Sequence, residues 1–198
     1  IKINNDFQSQ AENIYKDSFP KILTVARLDK RKNHQNILMC IRNLKEKFPK
    51  IKYISIGDGE EKNNLLKLRK ELKIEKEVIF LNKVDQKLKN VLIKNSNLFL
   101  MPSISFKKSV EGFGISFIEA ASYGVGSIGG KDGGESDAIT HNKTGLICDG
   151  NDLNSIYESV INFFTDDNFN EYGKAAQRFS ESFHWDKVVK NYLQLINE

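Results

Sequence analysis

The chain has 198 residues, 39% of them hydrophobic and 28% charged, with 30 Lys and Arg against 26 Asp and Glu for a formal net charge of +4. That suits one ordinary domain or one large lobe of a bigger protein, and it argues against wholesale disorder. Positive and negative residues are interspersed and no basic run carries stacking aromatics, so nucleic acid is not an expected partner.

No apolar run approaches the ~20 residues needed to span a bilayer. No signal peptide is visible, and the chain opens at Ile1 without Met, so the expectation is a fragment of a longer, cytoplasmic protein. Cys40 and Cys148 have no Cys or His partner at metal-ligand spacing. They read as two buried free thiols in a reducing compartment.

Residues 1–20 are polar and irregular and read as a linker or lead-in segment. Lys21 to Ala26 is a short apolar run, hence a buried strand. A charged loop follows from Arg27 to Lys32. Asn33 is placed to begin a helix that carries Ile37, Leu38, Ile41, Leu44 and Phe48 at helical spacing and ends at Pro49. Ile51 to Ile56 is a second strand, Gly57-Asp58-Gly59 a turn, and Glu60 to Lys73 a helix.

The alternation continues with a strand at Val78–Leu81, a short helix at Gln86–Asn95 and a strand at Asn97–Met101. A loop of about ten residues leads to Glu111, with a helix expected over Ser116–Ser122. Val125–Ile128 reads as a strand and Gly129 to Gly134 as a flexible turn cluster. An edge element at Gly145–Ile147 precedes three helices, which contain Leu153 to Phe164, residues 168–180 and Trp185 to Ile196.

Repeated strand-then-helix units with nearly continuous apolar strands predict an α/β fold: an open parallel sheet with helices on both faces. Ligands of such sheets bind outside the carboxyl ends of the strands. Arg27 and Lys32 follow the first strand and can form a diphosphate clamp, though a solvated loop is the stronger reading of that segment alone. His34 beside them reads as helix capping or helix surface. Gly57-Asp58-Gly59 is not a dinucleotide fingerprint, and no phosphate loop is present.

The most informative stretch is Glu111-Gly-Phe-Gly-Ile-Ser-Phe-Ile-Glu119. It sets one carboxylate in a glycine-loosened loop and a second on the following helix. Gly112 and Gly114 let backbone approach a ligand, and the helix start near Ile115 attracts phosphate. Carboxylates accept hydrogen bonds from sugar hydroxyls. A paired acid and base for glycoside hydrolysis is the other chemistry such a pair supports. Gly133-Gly134, with Asp132, Glu135 and Asp137 around it, is a third anion-binding candidate or else a surface turn. No histidine stands at ligand spacing near those acids, so no metal site is expected.

In order, these segments resemble the carboxyl-terminal domain of the retaining glycosyltransferases built from two Rossmann-like domains, the GT-B fold of glycosyltransferase family 4. The resemblance spans about residues 21–196. It is carried by Val25-Ala-Arg27-Leu28 with Lys32-Asn-His34, Gly57-Asp58-Gly59-Glu60, Val78-Ile-Phe80, Pro102-Ser103, Glu111 to Ala120, Gly133-Gly134 and Thr144-Gly145.

The resemblance implies that Arg27 and Lys32 grip a donor diphosphate, Glu111 holds hydroxyls of the transferred sugar, and Glu119 accepts from the ribose. Amides near Phe113, Gly114 and Ile115 would help bind phosphate or sugar, as would Gly57 and Gly134, and Lys83 and Val84 would lie near the base. It implies no cofactor and no metal, a UDP- or GDP-sugar as donor, and a glycan or lipid-linked acceptor. It also implies an amino-terminal acceptor-binding domain outside this chain, with residues 21–180 as the nucleotide-sugar domain and 181–198 as a helix packing toward that partner. Association with the inner face of a membrane is compatible with such a role. Asn82 replaces a common glycine and Gly126 a common proline. Two rival functions keep the same residues: a nucleotide-sugar epimerase or hydrolase, and a non-catalytic nucleotide-binding module.

Overall fold

The computed structural model describes residues 4–196. Six strands form one sheet: β1 (Lys21–Val25), β2 (Lys52–Ile56), β3 (Val78–Leu81), β4 (Leu98–Met101), β5 (Ser127–Gly130) and β6 (Gly145–Cys148). Every neighbouring pair is parallel and the order is β3-β2-β1-β4-β5-β6. The chain moves outward from β1 in one direction, returns, and moves outward in the other from β4. The strand order therefore reverses between β1 and β4, and the loops leaving their carboxyl ends diverge to open a crevice.

Nine α-helices are described: α1 (Asn4–Tyr15), α2 (His34–Lys47), α3 (Lys62–Glu71), α4 (Gln86–Lys94), α5 (Ile115–Ser122), α6 (Glu135–Ala138), α7 (Leu153–Phe164), α8 (Asn168–Ser180) and α9 (Trp185–Ile196). They cover both faces, which explains why the strands lack polar alternation. Ile22 of β1 and Leu98 of β4 pack with Ile37, Ile41 and Leu65 from α2 and α3 and with Val160 of α7. Leu23 and Phe99, one residue further along each strand, point the other way and meet Tyr15, Leu92 and Phe117 from α1, α4 and α5. Both cysteines are buried and unpaired, as expected.

The lead-in segment is not irregular: α1 is a helix packed on α4. Among the described residues of α1, Ala11, Ile14 and Tyr15 join the core, a spacing too sparse to announce a helix. Tyr15 Oη donates to the Leu92 carbonyl at 3.4 Å. Asn33 does not start α2 as a side-chain cap. It has a left-handed backbone, φ 60°, at the joint between a 3₁₀ turn (Lys30–Lys32) and α2. Its amide donates to the carbonyls of Pro102 (2.9 Å) and Gly150 (2.7 Å), which ties together the loops after β1, β4 and β6.

Gly129 and Gly130 belong to β5 and not to a turn cluster, and α6 follows where no helix was expected. Glycine here serves close packing rather than flexibility. A Cβ at Gly130 would run into the Ser103 carbonyl, and one at Gly129 would touch Ile139 and Glu135. At the carboxyl end of the chain, α8 closes the domain against α5 and α7. A short turn (Glu181–Phe183) then leads into α9, whose Trp185, Tyr192 and Ile196 are exposed. No described helix is long and apolar enough to cross a membrane.

Gly130→Ala should destabilise the fold by about 2 kcal/mol, because the obstruction is backbone and cannot rotate away. Gly112→Ala, where no atom lies within 4 Å of the added Cβ, should leave stability within about 0.5 kcal/mol of the parent. Urea unfolding midpoints of the two variants measure the difference.

Candidate functional site

The crevice between β1 and β4 is closed by charge. Glu111 enters it from the loop after β4, and the 3₁₀ turn after β1 brings two cations. Arg31 Nη1 lies 2.5 Å from Glu111 Oε2, and Lys32 Nζ forms an ion pair with the same oxygen. Lys32 Nζ also reaches Met101 Sδ at 3.5 Å. The Glu111 and Lys32 side chains are only 10% and 11% exposed, so little water screens them. Burial pushes the Glu111 carboxyl up, but the Lys32 and Arg31 bonds outweigh it and leave the carboxyl below its ordinary value.

Lys32 was therefore expected here and Arg31 was not. The turn geometry decides between them: the Asp29 carboxylate accepts from the Lys32 amide at 3.1 Å, and the tight turn presents Arg31 and Lys32 together. Arg27 does not join this clamp. It is exposed at the mouth of a second cleft of 350 Å³, lined also by Gly57, Asp58, Asn82, Lys83, Val84 and Lys89. So the structure brings Gly57 and Val84 to Arg27, outside the carboxyl ends of β1, β2 and β3.

Gly114 joins the two regions. Its backbone is left-handed, φ 78°, at the residue that caps α5, and a Cβ there would meet the Phe117 ring at 2.6 Å. Ile115 begins α5 and is 77% exposed, and the Phe113 ring packs at a tilt against Phe183 with centroids 5.2 Å apart. One turn into α5, Glu119 faces away from Glu111. Lys89 Nζ holds it at 2.5 Å, and the Gln86 amide donates to it at 3.4 Å. Each carboxylate thus has its own cation, and no hydrogen bond connects the two. Lys89 and Gln86 carried no signal beyond their place in a short polar-faced helix.

The double glycine also lies where the sequence placed it. Gly134 N donates to the Glu111 carbonyl at 3.0 Å, and a Cβ at Gly133 would crowd both Glu111 and the Glu135 carboxylate. The nearby acids do not act as a set. Asp132 accepts from Ser105 N (3.0 Å) and from the Asn151 amide (3.1 Å), Asp137 is exposed, and Glu135 is completely buried.

The sequence model of the family described as glycosyl transferases group 1 matches residues 4–182. This chain belongs to that family. It is 33% identical over 143 residues to an N-acetyl-α-D-glucosaminyl L-malate synthase of Bacillus anthracis, covering 71% of this chain and 36% of that protein. It is 26% identical over 174 residues to a GDP-mannose-dependent α-(1-6)-phosphatidylinositol monomannoside mannosyltransferase of Mycobacterium tuberculosis, covering 86% and 45%. The chain therefore spans less than half the length of these relatives.

Among solved structures, an Anabaena protein in complex with UDP and glucose superimposes with a TM-score of 0.79 at 18% identity, covering 98% of this chain and 52% of that one. The carboxyl-terminal domain of a group 1 glycosyl transferase from Francisella tularensis gives 0.74 at 18% identity, covering 95% and 93%. The fold is the Rossmann-like domain of GT-B glycosyltransferases.

Two departures from the family pattern have structural answers. Gly126 leaves room that the stacked rings of Phe163 and Tyr172 fill, since a Cβ there would approach Tyr172 Cβ at 2.8 Å. Asn82 does not use the left-handed backbone open to asparagine and instead lines the second cleft.

His34 is neither a side-chain cap nor a surface residue. It is 1% exposed, with Nδ1 3.1 Å from Tyr53 Oη and Nε2 3.3 Å from the Arg27 carbonyl. A carbonyl only accepts, so the neutral ring carries its proton on Nε2 and pins the backbone of Arg27. Burial pushes its pKa down to about 4. The unfolded chain takes up this proton near 6.5, so stability present above that pH is lost as pH falls toward 4. The loss should reach roughly 3 kcal/mol. Urea unfolding at steps across that window should show the decline in the parent and its absence in His34→Gln; parallel curves would refute the assignment.

Proposed function

We propose that this chain is the donor-binding half of a retaining glycosyltransferase that uses a UDP- or GDP-sugar. The observation that carries this reading is Glu111, held between Arg31 and Lys32 at the strand-order reversal, with Glu119 eight residues later paired to Lys89, which lines a separate cleft. A nucleoside diphosphate sugar needs this sequence of chemistries: a base and ribose pocket, a cationic centre, and an acceptor for sugar hydroxyls.

In this reading Arg31 and Lys32 grip the diphosphate, assisted by Arg27 from the rim. The phosphates displace Glu111 from its cations, which frees that carboxylate to accept from hydroxyls of the transferred sugar. Glu119 accepts from the ribose hydroxyls beside Gly57. The base lies against the backbone around Lys83 and Val84. The amides near Phe113, Gly114 and Ile115 and the Gly134 segment border the phosphates and sugar.

As the bond from the anomeric carbon to the diphosphate breaks, negative charge grows on the leaving oxygen, and fixed cations stabilise it. No metal has to share that task, and metal-independent transfer with retained configuration is part of the proposal. Named relatives and neighbours support both donor bases: one uses GDP-mannose and another was crystallised with UDP and glucose.

The acceptor, a glycan or a lipid-linked sugar, would be held by an amino-terminal domain with its own loops at the reaction centre. The exposed apolar residues of α9 suit packing toward such a domain. Peripheral association of the whole protein with the inner membrane face fits a lipid-linked acceptor. This chain by itself should bind donor weakly and transfer little or nothing.

Calorimetric titration with UDP-, GDP- and ADP-sugars should show binding to one base class. Glu119→Ala should weaken it by about tenfold or more, the value of a lost charge-assisted hydrogen bond. If no nucleotide sugar binds, or if the Glu119 variant binds as tightly as the parent, the donor site is wrongly placed.

A further inference from the structure

Beneath the Glu111 clamp lies a second carboxyl with no assigned role. Glu135 is 0% exposed, and neither of its oxygens has a hydrogen-bond partner among the described residues. Ser103, the polar side chain next to it, is buried with its own hydroxyl unpartnered. The Gly133 backbone covers Glu135 on the side of Glu111, so closely that a Cβ at Gly133 would stand 2.7 Å from Oε2.

Several elements around this carboxyl contribute a group that bears on its charge, while β5 meets it only with the Gly129 backbone. Lys32, from the turn after β1, is the nearby cation, and its ammonium is engaged with Glu111 and Met101. Glu111, from the loop after β4, is an anion. From β6 comes the Cys148 thiol, which burial pushes up to about 12, so it stays neutral. On its own short helix α6, Asp137 is exposed to water. An ionised carboxylate in this position would be buried and beside a like charge, with only its own backbone N–H, the Ser103 hydroxyl and the Lys32 charge to favour it, a combination that folded proteins avoid by keeping the proton. Burial first, and the Glu111 charge further, hold the Glu135 carboxyl above its ordinary value of 4.5.

We propose that Glu135 is a positioning residue of the diphosphate clamp: a buried carboxylic acid that keeps its proton so that Lys32 stays available to the donor's phosphates. The inference rests on the donor-site reading above and deepens it. With Glu135 neutral, Arg31, Lys32 and Glu111 sum to one positive charge. With Glu135 ionised they sum to zero, and Lys32 gains a second internal competitor. An incoming diphosphate adds negative charge nearby, so it favours the protonated acid further. Donor binding at a pH where Glu135 is ionised must then be accompanied by proton uptake.

Two measurements test this, one with ligand and one without. Titrations of wild type and Glu135→Gln with UDP and with GDP are run from about pH 6.5 to about pH 9, in buffers of different ionisation enthalpy. Wild-type affinity should fall about tenfold more than that of the variant across this range. Proton uptake should appear in wild type and be absent from Glu135→Gln. Equal uptake or identical pH profiles in the two proteins would overturn the proposal, and a merely structural role for Glu135 predicts that outcome.

Without ligand, thermal unfolding is followed over a wider range. The folded-state pKa of Glu135 is raised, so its cost to stability is absent below 4.5 and grows as pH rises through the folded value. Glu135→Gln, which cannot ionise, should therefore gain in melting temperature over wild type as pH rises, and parallel curves would refute the buried acid. If neither UDP nor GDP binds wild type, the donor-site reading fails, and this second result still decides the state of Glu135.

Discussion

The adjacency of β1 and β4 governs this molecule. Parallel strands need crossover connections, and two sets of crossovers leaving in opposite directions cannot both cover the gap where they part. The loops after β1 and β4 therefore face one another across an open crevice. The charged clamp of Arg31, Lys32 and Glu111 stands in those two loops. Asn33, with its amide on Pro102 and Gly150, fixes their separation from beneath. A site built this way depends on backbone that is already paid for by the apolar core on both faces of the sheet.

Placing two cations and a carboxylate in that crevice solves one problem and sets another. Arg31 and Lys32 are largely buried, and Glu111 pairs with both while leaving one net positive charge. The same pairing must be given up when an anion arrives. The exchange is feasible because a diphosphate offers the cations at least as much negative charge, while Glu111 moves from an ionic partner to hydroxyl donors. A purely structural ion pair would have no reason to sit at the mouth of a strand-order reversal, lined by glycine backbone on two sides.

Much of this was legible in the sequence. Apolar runs at Lys21–Val25 and Leu98–Met101 marked strands because both faces of each are covered. The Glu111–Glu119 spacing and the order of the motifs pointed to the family. Other features depended on three-dimensional facts that residue types do not carry. Whether Arg27 or Arg31 meets Glu111 is settled by a 3₁₀ turn and its Asp29 cap. Gly129 and Gly130 looked like a turn because glycine permits turns, but close packing against Ser103 and Ile139 also demands glycine. Helix α1 was hidden because a mostly polar helix needs only three residues to dock. Glu135 was legible as an acid but not as a buried one, since burial is a property of its neighbours.

The eight-residue spacing between the two glutamates can now be given a mechanical meaning. Three residues after Glu111, Gly114 turns the chain through a left-handed backbone and starts α5 at Ile115. Glu119 is four residues further, about 6 Å along the helix axis and on the same side as Ile115. That side is the exposed one, whereas Phe117, Ala120 and Ala121 bury the other. A shorter interval would turn the second carboxylate into the core or leave it beside the first. The observed one carries it to Lys89 and the cleft beyond, so one continuous stretch of chain can serve both ends of an extended ligand.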